Sequence, residues 1–279
     1  MHNIEGEKMK FKKIYIEILN YCNLNCKFCE KTKKPRRMVS IDEFKKIINE
    51  VKKYTDYIYL HVQGEPLLHP NLKEFFEIAY DNNIKVNLTT NATLIKNNLD
   101  VLINNKSLRQ INISLQALQN LPNKDEYYDN IINLIKNNKD IYISLRMWGN
   151  FKDQEVLNEI NYFSNKLNIT PNLDETNQLM PHVFLSLDEE FKWPNLNDRF
   201  NKETGRCQAI NQLGILSDGT VIPCCLDKDG IINLGNIFYE SLDSILNSPR
   251  YQLFLSNFKK GIITEELCKH CTFHNRFDK

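Results

Sequence analysis

The sequence predicts an α/β fold built on a parallel sheet, followed by a small α+β extension. Three features point that way. From residue 11 to about residue 175, short runs rich in β-branched and aromatic residues alternate with segments of helical period. The alternation then stops, and farther on the turn pair Asp218-Gly219 separates two short apolar runs in the manner of a β-hairpin. The 8 cysteines divide between these regions, three near residue 25 and five in the last third, with none between.

Phe11 to Leu19 has strand composition and runs directly into the first cysteines. Ser40 followed by Glu43 forms a capping box, and Ile41, Phe44, Ile47, Ile48 and Val51 recur at helical spacing, so a β-loop-α unit opens the chain. Tyr57–Val62 reads as a strand, Leu72–Tyr80 as a helix, Ile84–Leu88 as a strand and Leu94–Ile103 as a helix. Gln110–Leu115 (strand), Tyr127–Ile135 (helix), Ile141–Met147 (strand) and Val156–Leu167 (helix) continue the series, and Ile169–Leu173 is the candidate sixth strand. Strands joined through helices imply right-handed crossovers, with chemistry gathered beyond the strand C-termini. The cysteine triplet after strand one and Gln63-Gly64-Glu65-Pro66 after strand two therefore open onto one face. Residues 176–206, with Pro181 and Pro194 and no clear period, read as a linker or active-site loop. Gln212–Ser217 and Thr220–Ile222 make the hairpin, and Ser241–Leu246 and Arg250–Phe258 are short helices before Cys268-Lys-His-Cys271.

Composition narrows the function. A chain of 279 residues, 42% hydrophobic and 25% charged, is ordinary for a globular protein, and at this length roughly three quarters of the unfolded surface is buried on folding. Such a core needs no disulfides, so the cysteines need another explanation. A net charge of +1 exerts no general pull toward nucleic acid or acidic membranes, and no run approaches the ~20 apolar residues of a membrane span. The first residues lack the apolar stretch of a secretory signal, which sets the expectation of a reducing cytoplasm, where cysteines serve as ligands or reagents.

As thiolates, Cys22, Cys26 and Cys29 can hold three irons of a [4Fe–4S] cube and leave the fourth open to substrate or cofactor. A zinc site completed by His61 or His69 is the alternative. In the last third, Cys207, one of Cys224 and Cys225, Cys268 and Cys271 are enough for a second cube or for a tetrahedral zinc. Neighbouring side chains diverge along an extended backbone, so only one of Cys224 and Cys225 is expected to ligate.

With Phe28 just before its last cysteine, Cys22-x3-Cys26-x2-Cys29 resembles the signature of radical S-adenosylmethionine (radical SAM, AdoMet) enzymes. Further stretches resemble that family in the right order. Gln63-Gly64-Glu65-Pro66 is similar to its Gly-Gly-Glu-Pro loop, with Gln63 in place of the first glycine, and implies that Glu65 meets the AdoMet amino group, framed by Gly64 and Pro66. Thr89-Thr90-Asn91 resembles a Thr-Asn-Gly stretch, with Ala92 where the family has glycine, and Ile113-Ser114-Leu115 resembles the segment whose serine helps hold the cofactor. Arg146, late in strand five, is expected to pair with the AdoMet carboxylate or with substrate, or else to be a solvated strand end. The resemblance covers roughly residues 11–175 and implies a partial (β/α)6 TIM-like barrel. It also implies the chemistry. AdoMet chelates the open iron, the reduced cluster passes one electron to the sulfonium, and a 5′-deoxyadenosyl radical takes hydrogen from a C–H bond.

Cys207, the Asp218-Gly219 turn leading to Cys224, Asp227, Gly235-Asn236 and Cys268-x2-Cys271 resemble the SPASM/twitch extension in its one-cluster form, which implies one auxiliary [4Fe–4S] cluster. By the offset from Gly219 in that pattern Cys224 is the ligand. Cys225 is left as a free thiol, either a hydrogen-atom donor to a substrate radical or a small buried hydrophobe. Three regions follow: a radical SAM core over 1–175, a linker or active-site loop over 176–206, and an auxiliary-cluster domain over 207–279.

The expected function is modification of a C–H bond. Peptide or protein maturation by epimerisation, cross-linking or oxidation is favoured, because the extension that this one resembles most often accompanies it. Dehydrogenation of a sugar or aminocyclitol alcohol is the alternative, and a non-catalytic zinc-binding module is the rival from another class. Lys27, Lys31, Lys33, Lys34, Arg36 and Arg37 form a basic run, expected to be a solvated loop or a docking surface for a flavodoxin- or ferredoxin-type electron donor. A nucleic-acid partner is not expected, since aromatic interleaving is missing.

Overall fold

The computed structural model describes residues 10–149, 152–170 and 177–277. Its first strand, β1 (Lys13–Ile16), leads into the cysteine loop, and α1 (Ile41–Val51) starts at Ser40, where both hydrogen bonds of the capping box are made. The series continues with β2 (Tyr57–Leu60), α2 (Leu72–Asp81), β3 (Lys85–Thr90), α3 (Ile95–Ile103), β4 (Leu108–Ser114), α4 (Lys124–Asn137), β5 (Tyr142–Trp148) and α5 (Gln154–Leu167).

After α5 the chain departs from expectation. Ile169 and Thr170 are irregular and 171–173 lie outside the described residues, so among the described residues the sixth strand is not found there. That strand comes instead from the stretch expected to be a linker. There β6 (Gln178–Met180) and β7 (Val183–Asp188) form a hairpin that turns at His182, φ 64°, and β7 pairs in parallel with β5 from Val183 opposite Ile143 to Asp188 opposite Trp148. The core sheet therefore extends past residue 175, to 188. Only six residues of alternation, next to Pro181, were available in the sequence to signal it.

The extension supplies β8 (Gln212–Ile215), β9 (Thr220–Ile222) and β10 (Gly235–Asn236), then α6 (Leu242–Asn247), α7 (Pro249–Lys259) and α8 (Glu266–Lys269). One open ten-stranded sheet results, in the order β10-β9-β8-β1-β2-β3-β4-β5-β7-β6. The hairpin is part of the core sheet: β8 pairs in parallel with β1, Lys13 opposite Gln212 and Ile16 opposite Ile215. The polypeptide thus forms an unclosed barrel whose β1 edge is occupied by its own C-terminal third.

Side chains alternate across this sheet with the two-residue period of strands. Ile14, Ile16, Ile58, Leu60, Ile111, Ile113, Ile143 and Leu145 have no solvent exposure and pack with the helices in one core. At about 1.5–3 kcal/mol for each fully buried aliphatic side chain, this layer dominates the stability of the sheet. The residues between them turn inward. Lys13, Tyr15, Tyr59, His61, Gln110, Asn112, Ser114, Ser144, Arg146 and Ser186 line an internal cavity of about 730 Å³. A lumen to which the strands present polar side chains, flanked by an apolar outer layer, is built for a ligand rather than for packing.

Candidate active site

Asn20 closes the neck of the loop that carries the first cysteines. Its side-chain amide donates to the Pro35 carbonyl (2.8 Å) and accepts from the Arg37 N–H (2.9 Å), while Leu19 bridges Met38. Within the loop, Cys22 Sγ accepts from the Leu24 N–H and from the Asn91 amide, each at 3.3 Å, and Cys29 Sγ lies 3.7 Å from Gln63 Oε1. Burial pushes all three thiols up, Cys29 to about 11, and the sulfurs act on one another, Cys22 raising Cys26 and both raising Cys29. Three thiolates this close repel unless a cationic centre sits among them, which is the donor set that iron requires.

Gly64 holds the second loop against the first. Its φ is +82°, and a Cβ there would stand 2.3 Å from the Leu19 carbonyl oxygen, so no other residue fits without displacement. Next to it Glu65 is buried and accepts three hydrogen bonds, from Leu67 N–H (3.0 Å) and Thr90 hydroxyl (2.7 Å) on Oε1 and from Asn91 N–H (2.6 Å) on Oε2. Burial still outweighs these donors and lifts its carboxyl to about 7. Pro66, buried behind Glu65 as the first residue of a short 3-10 turn, does not reach the cavity. Asn91 links the loops, its amide donating to Cys22 and to Asn23 Oδ1 (2.9 Å). Ala92, where the resembled motif has glycine, takes a left-handed φ of 65° while fully buried, a conformation that costs roughly 1–2 kcal/mol.

Ser114, Arg146 and Ser186 lie side by side across β4, β5 and β7 and face the cavity. Phe28 belongs to an aromatic wall beside the cysteine loop, its ring 5.1 Å from Trp148 and 4.9 Å from Phe191, with the Trp193 indole donating to its carbonyl at 3.1 Å.

The last third brings its cysteines to the same cavity, which all eight line. Burial raises the thiols of Cys268 and Cys271, the latter to about 11, and a hydrogen bond with Cys225 together with burial raises that of Cys224; Cys207 adds a smaller push to all three. The adjacent thiols hydrogen-bond to each other but pack against different clusters. Cys224, like Cys207 and Cys268, lies against the main core, while Cys225 packs with Tyr15, Val62, Leu216 and Ile222 in a second cluster beneath β1 and β2. Asp227 is a turn builder, its carboxylate accepting from the N–H groups of Ile231 (2.8 Å) and Ile232 (2.7 Å). Among the described residues no three Cys, His, Asp or Glu side chains converge on a single-ion site. His69 is committed elsewhere, Nε2 to Val39 O (3.0 Å) and Nδ1 to Asn71 N–H (3.2 Å).

Part of the basic run is spent inside the molecule. Lys34 pairs with Asp218 of the hairpin (2.6 Å) and Arg37 with Glu43 (2.5 Å), leaving Lys27, Lys31, Lys33 and Arg36 exposed. Thr32 hydroxyl and Lys33 N–H both donate to Asp229 at 2.8 Å, so the hairpin side also grips the cysteine loop. Sequence reasoning missed the lumen residues Lys13, Tyr15, Tyr59, Gln110, Asn112 and Ser144. Their signal is the polar phase of the strand alternation, as in Gln110-Ile111-Asn112-Ile113-Ser114.

Comparison with known proteins gives this geometry its family. The radical SAM superfamily model matches residues 16–153 and the SPASM iron–sulfur cluster-binding domain matches residues 207–272. The chain belongs to the radical SAM superfamily, with a C-terminal SPASM domain. Its cofactors are those of that family of enzymes, AdoMet with its [4Fe–4S] cluster and an auxiliary iron–sulfur cluster. The GTP 3′,8-cyclase of Chlorobaculum tepidum is 32% identical over 109 residues, 38% of this chain and 33% of that protein, so the chain spans about a third of that relative's length. The structure of Streptococcus suis SuiB bound to precursor peptide SuiA superposes with a TM-score of 0.65 at 17% identity, covering 97% of this radical SAM chain and 73% of that one. That of BtrN in complex with AdoMet and 2-DOIA gives 0.58 at 17% identity, covering 94% and 93%. Both likenesses are of fold. Among the described residues no helix is long and apolar enough to cross a membrane.

Proposed function

We propose that this radical SAM enzyme removes hydrogen from a C–H bond of a small polar molecule held between its two cysteine sets, as the dehydrogenation of a sugar or aminocyclitol alcohol would require. The observation that carries this is the shared cavity. All eight cysteines face one lumen of about 730 Å³, a size typical of small-ligand sites, whose strands offer Gln110, Asn112, Ser144 and Ser186 to a hydroxylated molecule. BtrN, which this chain covers almost end to end, is the neighbour solved with AdoMet and 2-DOIA.

In this proposal Cys22, Cys26 and Cys29 hold the AdoMet-binding cluster, and Cys207, Cys224, Cys268 and Cys271 the auxiliary one. When bound, these groups supply hydrogen-atom abstraction and an acceptor for a second electron. Gly64, Glu65, Asn91, Ser114 and Phe28 frame the AdoMet. A carboxylate has about four acceptor positions, so Glu65 keeps one for a cationic group after its three hydrogen bonds. The wall of Phe28, Trp148, Phe191 and Trp193 excludes water from the reacting carbon. Lys27, Lys31, Lys33 and Arg36, exposed beside the cysteine loop, suit an acidic flavodoxin- or ferredoxin-type electron donor in the cytoplasm.

One observation favours a peptide substrate instead. Cys225 faces the cavity and packs against a different cluster from Cys224, which suits a thiol that returns a hydrogen atom in an epimerisation, and SuiB is a neighbour solved with a precursor peptide. The two are separated by incubating reduced, cluster-loaded protein and AdoMet with small metabolites and with peptides in D2O. A metabolite that loses about two mass units, one hydrogen to the radical and one to a base, supports the dehydrogenase. Solvent deuterium at a peptide Cα supports the epimerase. Neither product would contradict both.

A further inference from the structure

We infer that the substrate carries an oxyanion, a phosphate or carboxylate group, seated between Arg146 and Lys13 beside His61. This rests on the lumen being the substrate site. Arg146 on β5 and Lys13 on β1 both line it, and among the described residues neither has a carboxylate at ion-pair distance; the contact of Lys13 is the Tyr59 ring, 5.9 Å from Nζ. Among the described residues, none of the acids that share the cavity lies at ion-pair distance from either cation. Glu65 accepts three hydrogen bonds, Asp227 accepts from two backbone N–H groups, and Asp188 pairs with Arg276 at 2.9 Å.

Two cations that line one cavity with no carboxylate at ion-pair distance attract an anion, which relieves their mutual repulsion. The planar guanidinium of Arg146 matches a carboxylate or phosphate with two parallel hydrogen bonds, and the Ser114 and Ser186 positions flank it in register. His61 lines the same cavity beside them, with its Nδ1 enclosed by protein and without a hydrogen-bond partner. Burial and the nearby Arg146 and Lys13 push the imidazole down to about 3, so near neutral pH it is uncharged and adds no third cation to the site.

The test is anaerobic calorimetry on the cluster-loaded, AdoMet-bound protein, titrated with inorganic pyrophosphate and separately with malonate. One of the two is expected to bind saturably at one site per chain, and which one does so assigns phosphate or carboxylate. Arg146→Gln and Lys13→Gln are each expected to weaken that binding at least tenfold at wild-type iron content, and Arg146→Lys to restore part of it. Arg146→Lys and Lys13→Gln decide the matter if Arg146→Gln does not load its clusters. Absence of saturable binding by either anion, or binding indifferent to these substitutions, overturns the assignment. So does an Arg146→Gln protein that loses AdoMet yet keeps the anion, because the arginine then serves the AdoMet carboxylate. 5′-Deoxyadenosine release, read in parallel, reports the proposed reaction separately from anion binding.

Discussion

Ser217 donates both its backbone N–H (3.0 Å) and its hydroxyl (2.9 Å) to one carboxylate oxygen of Glu17. Glu17 follows β1, just before the first cysteine loop, and Ser217 follows β8, just before the hairpin turn that leads to Cys224. This contact and the parallel β1–β8 ladder fix the two cysteine sets relative to one another across 200 residues of sequence.

The same contact titrates. Burial lifts the Glu17 carboxyl from 4.5 to about 7 against the opposing hydrogen bonds from Ser217. A raised carboxyl means that the folded state holds the proton longer, so its contribution to stability is fully present below about 4.5 and is lost as pH rises through about 7. Glu17→Gln is expected to remove up to about 3 kcal/mol of that pH dependence, at about 1.4 kcal/mol per unit. Urea unfolding of the cluster-loaded protein between pH 5 and 8 reads it as the difference in slope between wild type and variant; Glu65, also lifted to about 7, leaves a residual slope in both.

Gly64→Ala should empty the first site selectively. The added Cβ meets the Leu19 and Tyr21 carbonyls at 2.3 and 2.9 Å in a left-handed backbone, so the cysteine loop must move away. Iron per chain should fall from about eight to about four, the auxiliary cluster remaining. Wild-type iron in this variant would show that the two loops are not coupled.

Cys224 and Cys225 should behave oppositely. Because Cys224 lies, like Cys207 and Cys268, against the main core while Cys225 packs with Tyr15, Cys224→Ala is expected to lose about four irons and Cys225→Ala none. Iron analysis of both variants settles the ligand. An unchanged product and turnover in Cys225→Ala would remove the hydrogen-donor role.

Lys34 and Asp218 tie the cysteine loop to the hairpin at 2.6 Å, but the aspartate side chain is 39% exposed, so solvent screening limits the pair. A double-mutant cycle with Lys34→Ala and Asp218→Ala should give a coupling of about 0.5–1 kcal/mol that shrinks in 1 M salt. A coupling near zero would assign the loop's position to Asp229 and Asn20 alone.

Local signals carried much of this structure. The capping box at Ser40, the alternation through α5 and the Asp218-Gly219 turn are all contiguous in sequence, and each appears where the residues predict it. What was not legible depends on long-range pairing. Nothing local in Gln212–Ile215 says that it will pair with β1, and six residues of Val183–Asp188 beside a proline carry too little period to stand out. The cysteine triplet was legible because ligand spacing is local. The lumen was not, because Lys13, His61 and Arg146 come together only when three separated strands curl around one cavity. The basic run misled in part for the same reason: the partners of Lys34 and of the Thr32–Lys33 segment lie almost two hundred residues away.

In the proposed reaction the cluster held by Cys22, Cys26 and Cys29 would cleave AdoMet in a cavity shared with the auxiliary site. The most direct measurement is 5′-deoxyadenosine released by anaerobically loaded, reduced protein, compared with the variant in which all three residues are alanine. Release by the wild type and none by the variant, which keeps about four irons, is the expected result. Equal traces from both proteins, or a colourless wild type carrying zinc, would contradict the account.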